Sequence, residues 1–323
     1  MKLKYLFNIL IATTAISMLS SCLKKRETTM DGDGPRNVVE FKNTGSNTAA
    51  GTSFYPLFTQ DLGSMQPGES KSFNINVSYS GADVAPSDIT VQLEVDQTSL
   101  DRFNKENGTD YVIPPASVFT LPPSFVIKKG QRVATDSAKV TLSPDFNFDD
   151  AYALPLKIKS VSPSHTVSAN FGSAMYGLTI RNQFDGVYTV TGTFSYSLNP
   201  AFTGAYPKKL YLVTAGAAKN AYFDPTLNGG AYGYLFNTGT GGSYFGNWAP
   251  SFTFDASGNV TSVGNFLSDP APRNRHSSLD TDTPGAINKY DLNTKSLDVN
   301  YYFWSAGAIV GKVHEVWTYV GPR

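Results

Sequence analysis

The chain of 323 residues carries 26 basic and 26 acidic side chains, a formal net charge of zero, with 13% aromatic residues and one cysteine. That balance leaves no basic field for nucleic acid, and one cysteine excludes a disulfide framework. The length suffices for two domains, each with a core of its own.

Residues 1–21 begin Met1-Lys2-Leu3-Lys4, run apolar from Tyr5 to Leu19 and end in Ser20-Ser21 before Cys22. A basic start, a short apolar core and small residues before a cleavage point make a secretory signal peptide, too short and wrongly flanked for a membrane span. Cys22 closes that pattern as a lipobox cysteine, whose thiol takes a diacylglycerol before the preceding peptide is cut. The expectation is a lipoprotein with a palmitate-type anchor at Cys22, its hold growing by about 0.8 kcal/mol per buried methylene. Cleavage removes Lys2 and Lys4, leaving 24 basic and 26 acidic residues. Residues 22–36 hold Lys24-Lys25-Arg26 and Asp31-Gly32-Asp33-Gly34 without periodicity, which reads as a flexible tether.

Residues 37–182 are dominated by period-two alternation. Phe73, Ile75, Val77 and Tyr79 share one face; Ile89, Val91, Leu93 and Val95 repeat the pattern. So do Ala138, Val140 and Leu142, and then Leu154, Leu156 and Ile158. Runs of this kind are half-buried antiparallel strands. Ser80-Gly81, Pro114-Pro115, Pro122-Pro123, Lys129-Gly130 and Ser143-Pro144 separate them. One helix fits Ser99 to Asn107, with Thr98 or Ser99 as cap and Gly108 closing it. The sum predicts an immunoglobulin-like β-sandwich. The strings Ile89–Asp96 and Phe103–Tyr111, with Tyr152–Ile158, resemble a domain of unknown function common in Bacteroides lipoproteins. The resemblance implies an Ig-like spacer ahead of varied C-terminal modules, lectin-like domains and endoglycosidases among them.

Residues 183–323 hold 25 of the 42 aromatic residues and all three tryptophans, which marks a second domain. Strands are predicted at Phe184–Thr193, Lys208–Thr214, Ala231–Asn237, Phe252–Phe254, Asn259–Val263, Ile287–Asp291, Ser296–Phe303 and Val313–Val320. Eight up-and-down strands predict a lipocalin-like antiparallel β-barrel with room for one ligand, a flatter sandwich being the alternative. Gly192 falls where such a strand bends. The opening Phe184–Thr193, Tyr290–Phe303 and the closing strand resemble the C-terminal domain of two-domain Bacteroides lipoproteins described as adhesins.

No catalytic set is visible. His165, His276 and His314 are far apart, expected in a Ser/Pro turn, a polar loop and a strand, and none lies in a metal-protease pattern. Gly239-Thr240-Gly241-Gly242 lacks the Lys and helix of a phosphate loop, and Gly241–Phe245 is one glycine short of a nucleophile elbow. Asp280, Asp282, Gly285 and Asp291 match four positions of a calcium loop, but Pro284 stands where an oxygen ligand belongs, so an ordinary polar turn is preferred. The expectation is no enzyme, no cofactor and no metal.

What remains points to binding. Between Asn228 and Pro250, Tyr232, Tyr234, Tyr244, Phe245 and Trp248 are set among Gly, Asn, Ser and Thr. Sugars need a flat ring for their C–H faces and short polar groups for their hydroxyls. Any one of these rings could instead belong to the core. Trp248, flanked by Gly246-Asn247 and Pro250, is expected to be exposed; Trp304 is expected at the same rim and Trp317 in the core. The candidate carbohydrate-binding residues are Tyr232, Tyr244, Asn247, Trp248 and Trp304, with Pro272–His276 as a second polar loop. The expected function is an accessory glycan-binding lipoprotein of a polysaccharide-utilisation system, held to the outer membrane by its lipid and alongside outer-membrane polysaccharide-uptake proteins. The alternative is an adhesin or structural protein with a protein partner. From the Bacteroides resemblance, Asp136-Ser137-Ala138 implies O-glycosylation at Ser137. Lys24-Lys25-Arg26 after the anchor leaves cell-surface and periplasmic faces both open.

Overall fold

The computed structural model describes residues 37–42, 47–51 and 53–323; the expected signal peptide, the Cys22 anchor and the tether lie outside the described residues. The described chain is almost entirely β.

The first nine strands are β1 (Val38–Phe41), β2 (Leu57–Ser64), β3 (Ser70–Ser80), β4 (Ile89–Val95), β5 (Phe119–Thr120), β6 (Phe125–Ile127), β7 (Val133–Thr141), β8 (Tyr152–Ser162) and β9 (Ser173–Arg181). They form two sheets, β1-β3-β7-β5 and β2-β9-β8-β4-β6. The inward residues of both meet in one core that includes Phe73, Ile75, Val77, Ile89, Val91, Val140, Leu154 and Leu156. This is the expected sandwich. The single helix α1 runs Gln97–Asn107 and starts earlier than expected. Its cap is Asp96, which accepts from Thr98 N at 3.2 Å and Ser99 Oγ at 2.6 Å. The carboxylate can take both the backbone donor and the serine hydroxyl, so it outcompetes the hydroxyl caps. Gly108 closes the helix at φ 63°. Leu100 and Phe103 of α1 cover Ala153 and Met175 on the outer face of the second sheet. For that reason β8 is buried at five successive positions, Tyr152 to Leu156.

The second set comprises β10 (Gly186–Tyr196), β11 (Thr203–Gly204), β12 (Lys208–Thr214), β13 (Lys219–Asp224), β14 (Ala231–Tyr232), β15 (Leu235–Asn237), β16 (Gly242–Tyr244), β17 (Pro250–Phe254), β18 (Val260–Asn265), β19 (His276–Leu279), β20 (Lys289–Asp291), β21 (Ser296–Ser305) and β22 (Ala308–Gly321). All thirteen belong to one curled sheet. Its wall runs β18-β17-β13-β12-β10-β22-β21, and β19 and β20 share the free edge of β21. The seam is bridged at one end, where Asn259 pairs with Lys289 and Val260 N donates to Asn288 O at 2.9 Å. The meander follows the expected up-and-down order and curls into a half-barrel, with three corrections. The stave between β12 and β17 is β13, not Ala231–Asn237. That stretch divides into β14 and β15 at Gly233, where a Cβ would stand 2.6 Å from Leu227 Cδ2. The interior is also not a ligand chamber: Tyr188, Tyr222, Tyr234, Trp248, Phe252, Tyr301 and Trp317 fill it. Rings of that size leave little room inside a small barrel.

One polar cluster is sealed among those rings. Glu315 is fully buried and accepts from Tyr206 Oη at 2.5 Å, Tyr301 Oη at 3.0 Å and Trp317 Nε1 at 3.2 Å. Burial lifts its carboxyl above the ordinary range, opposed by Lys208 and these three donors. Lys208 Nζ donates to Leu235 O at 2.9 Å and lies 4.7 Å from the Tyr234 ring centroid. Burial pulls that ammonium down to about 8, against the attraction of Glu315 and Asp224.

Candidate functional site

Strand registers fix which loops share an end of the barrel. β10 ends at Tyr196 opposite Gly311 of β22, and β21 ends at Ser305 opposite Ala308. His276, the first residue of β19, pairs with Trp304; Pro250, the first of β17, pairs with Asn265, the last of β18. The segments 197–207, 225–249, 266–275 and 306–307 therefore gather at one end. The first domain meets the other end. There Ser64 Oγ donates to Asp185 O at 3.4 Å, and Ser64, Gln66 and Glu69 line a groove with Gln183, Tyr290 and Lys295. The gathered loops are thus the end distal to the first domain.

Four of the five expected binding residues lie there accessible to solvent. Tyr244 is 45% exposed, its hydroxyl 3.4 Å from Asn228 Nδ2. Half-buried Tyr232 meets Phe266 at 4.5 Å between centroids, and Phe266 is 39% exposed. Asn247 is exposed at φ 59°, the left-handed region that asparagine tolerates. Trp304 is half-buried, with Nε1 held by Ser278 Oγ at 2.8 Å and its ring stacked on His276 at 5.5 Å and 9°. The fifth, Trp248, is a correction. It is fully buried, stacked on Phe303 at 3.8 Å, with Nε1 donating to Ser277 Oγ at 2.9 Å. The flanking Gly, Asn and Pro turn the backbone inward, so the largest ring in the segment plugs this end of the barrel. Trp317 is buried as expected.

The loop from Phe266 to His276 is organised by Asp269, whose side chain is fully buried. It ion-pairs with Arg273 at 3.0 Å, accepts from Arg275 N at 3.0 Å and lies 3.5 Å from Asn247 Nδ2. Arg275 Nη1 donates to Gly246 O at 2.7 Å, its guanidinium 5.5 Å from the Phe245 centroid. His276 begins a strand instead of sitting in a loop, because the β21 edge offers it backbone partners. Arg275 lies in the second polar loop expected from sequence and Asn228 opens the expected aromatic segment, whereas Phe266 was not singled out. A lone Phe ahead of a Pro-rich turn carries no periodicity to betray it.

The other candidates stay apart. His165 packs edge-on to Tyr79 at 5.1 Å in the first domain, and His314 Nε2 lies 3.1 Å from Asp298 on the barrel wall. Asp280 spends both oxygens on its own turn, accepting from Asp282 N, Thr283 N and Thr283 Oγ1. Asp291 does the same for its hairpin through Asn293 N. Among the described residues no three His, Cys, Asp or Glu side chains converge as metal ligands. Ser137 is exposed on β7, donating to Asn74 Oδ1 at 3.0 Å.

Residues 41–165 match a family model described as an N-terminal domain. A Bacteroides ovatus protein of unknown function is 15% identical to the chain, with a TM-score of 0.50 over 89% of this chain and 97% of that one. A second B. ovatus protein, provisionally described as carbohydrate-binding, is 14% identical over 87% of this chain and 81% of its own, with a TM-score of 0.37. An auxiliary nutrient-binding protein of Bacteroides thetaiotaomicron is 13% identical over 80% and 90%, with a TM-score of 0.36. No curated protein matches the chain. Identities this low speak for fold alone. Residues 41–165 are thus similar to this family of N-terminal domains, and the chain as a whole is similar in fold to a Bacteroides ovatus protein of unknown function.

Proposed function

We propose that the protein is a glycan-binding lipoprotein of a polysaccharide-utilisation system, lipidated at Cys22, which binds sugar at the distal end of its barrel and performs no catalysis. The observation that carries this reading is the placement of Tyr244, Trp304, Tyr232 and Phe266, beside Asn228, Asn247 and His276, at the end of the barrel farthest from the first domain. Rings with a polar handle suit a half-wet site, and short amides serve sugar hydroxyls. The first domain then acts as a spacer between the outer membrane and the binding end, alongside polysaccharide-uptake proteins on the same membrane.

A glycan array with the purified chain tests the reading. Trp304→Ala and Tyr244→Ala are expected to weaken a positive signal about tenfold each, with the melting temperature unchanged. An array with no positive glycan removes the reading. Protease shaving of intact cells distinguishes the outer from the inner leaflet, and metabolic labelling with palmitate tests Cys22.

One feature favours the second reading, an adhesin or structural subunit with a protein partner. Tyr196, Pro200, Phe202 and Ile309 line an apolar groove of about 510 Å³ at the same end. Nearby Leu198 is 71% exposed and Ile309 is 43% exposed. Apolar patches of this kind commonly mark protein interfaces. Leu198→Asp then abolishes partner capture while leaving glycan binding intact.

A further inference from the structure

The distal loops have an uneven charge. Residues 225–254 contain no charged side chain at all. In the facing segment 266–276 the charged residues are Asp269, Arg273 and Arg275, with His276 beside them. Asp269 is fully buried and its charge is committed to Arg273 at 3.0 Å. Arg275 is left without a carboxylate: among the described residues its guanidinium makes no ion pair, and its side-chain hydrogen bond goes to the neutral Gly246 carbonyl at 2.7 Å. Its Nε–H is shielded from solvent and has no acceptor. A half-buried guanidinium in that state is offset by one neutral carbonyl and the Phe245 ring 5.5 Å away but by no opposite charge, and its fork geometry suits an oxyanion. It adjoins His276, which lies flat on Trp304, so the uncompensated charge and an aromatic face are neighbours in the chain.

We infer that the ligand at this end is an anionic glycan, a saccharide bearing carboxylate or sulfate groups, with Arg275 meeting the anion while a sugar ring rests on the distal aromatics. This inference rests on the glycan reading and narrows it. The two sources of negative charge share the same chemistry at Arg275 and are separated by experiment.

Affinity electrophoresis of the purified chain through gels containing polygalacturonate, dextran sulfate or neutral dextran, beside an array of neutral glycans, makes the test. Retardation by polygalacturonate or by dextran sulfate is expected, the responding polymer naming carboxylate or sulfate. Binding should fade as salt rises to about 1 M, where the screening length is about 3 Å. Arg275→Gln should weaken it at least about tenfold, and Arg275→Lys should retain part of it. Melting curves of both variants guard against misfolding, and the salt dependence of the wild-type chain stands if Arg275→Gln does not fold. Binding to neutral glycans alone overturns the anionic ligand and leaves glycan binding standing. Acidic binding that is undiminished in a folded Arg275→Gln, or indifferent to salt, also overturns it. Failure to bind any glycan, neutral or acidic, removes both.

Discussion

Lys208 places an ammonium among the Tyr206, Tyr222 and Tyr234 rings, 4.7 to 5.3 Å from their centroids. Burial holds its folded pKa at about 8, below the ordinary 10.5. Between those values the unfolded chain binds the extra proton, so barrel stability rises as pH climbs from about 8. The opposite trend starts near 10, where unfolded tyrosines ionise while Tyr206, Tyr222, Tyr234 and Tyr301 are kept protonated by burial. Melting temperature against pH should therefore climb between about 8 and 10 and then fall. Lys208→Met should erase the climb; a wild-type profile that is flat over that window refutes the assignment. Trp248 belongs to the same scale. Because it is core, Trp248→Ala should cost about 3 to 5 kcal/mol of stability, and any loss of ligand binding would follow from unfolding. Trp304 and Tyr244, half-buried and exposed respectively, are the informative ring deletions.

At the scale of elements, β10 and β22 form one of the two longest ladders of the barrel, paired from Val187–Gly321 to Tyr196–Gly311. Gly192 makes that ladder fit: a Cβ there would come 2.1 Å from His314 O and 3.0 Å from Glu315 Cα. Gly192→Val should thus push β22 away just where Glu315 enters the buried cluster. A loss of about 2 kcal/mol or more in denaturant unfolding is expected, with weaker protection of β22 amides in hydrogen exchange. A variant as stable as wild type would show that the barrel relaxes around the added methyls. The β15–β16 hairpin is a different kind of element. Thr238 N closes its tip on Gly241 O at 2.9 Å, and it extends the sheet beyond the staves and carries Tyr244 to the rim.

At the scale of the whole molecule, the junction is built into the barrel. Asn182 Nδ2 donates to Gly216 O at 2.9 Å, Lys219 O at 3.1 Å and Asn220 Oδ1 at 2.9 Å. Asp185 is buried; Oδ2 accepts from Thr214 N at 2.7 Å, and Arg323 grips both oxygens at 3.2 Å. A junction tied this way transmits the orientation of the first domain to the distal loops. Asp185→Ala strands the Thr214 N–H and the Arg323 guanidinium, at a cost of about 2 kcal/mol or more. The two hydrophobic cores are separate. Calorimetry should accordingly resolve two transitions, and Asp185→Ala should lower only the barrel's while opening residues 182–185 to limited proteolysis. A single transition, shifted as a whole, would mean that the domains unfold as one unit.

The sequence by itself determined the β class, the sandwich and the up-and-down order, because period-two alternation records which residues of a strand face a core. It also located the aromatic-rich half and four accessible residues of the distal end, since Gly, Asn and Tyr in a loop declare themselves by composition. It missed β13 and β19, whose short runs acquire strand identity only from neighbouring edges, and it misplaced Trp248. Whether a ring points into the barrel or out of it depends on how the loop closes, and local flanking residues do not encode that. Only the tertiary structure decided that the interior is packed with aromatics around Glu315, that Arg275 is left without a counter-charge, and that these loops stand opposite the first domain. Each of those is a relation between residues far apart in the chain, which pairing across the sheet creates and composition cannot report.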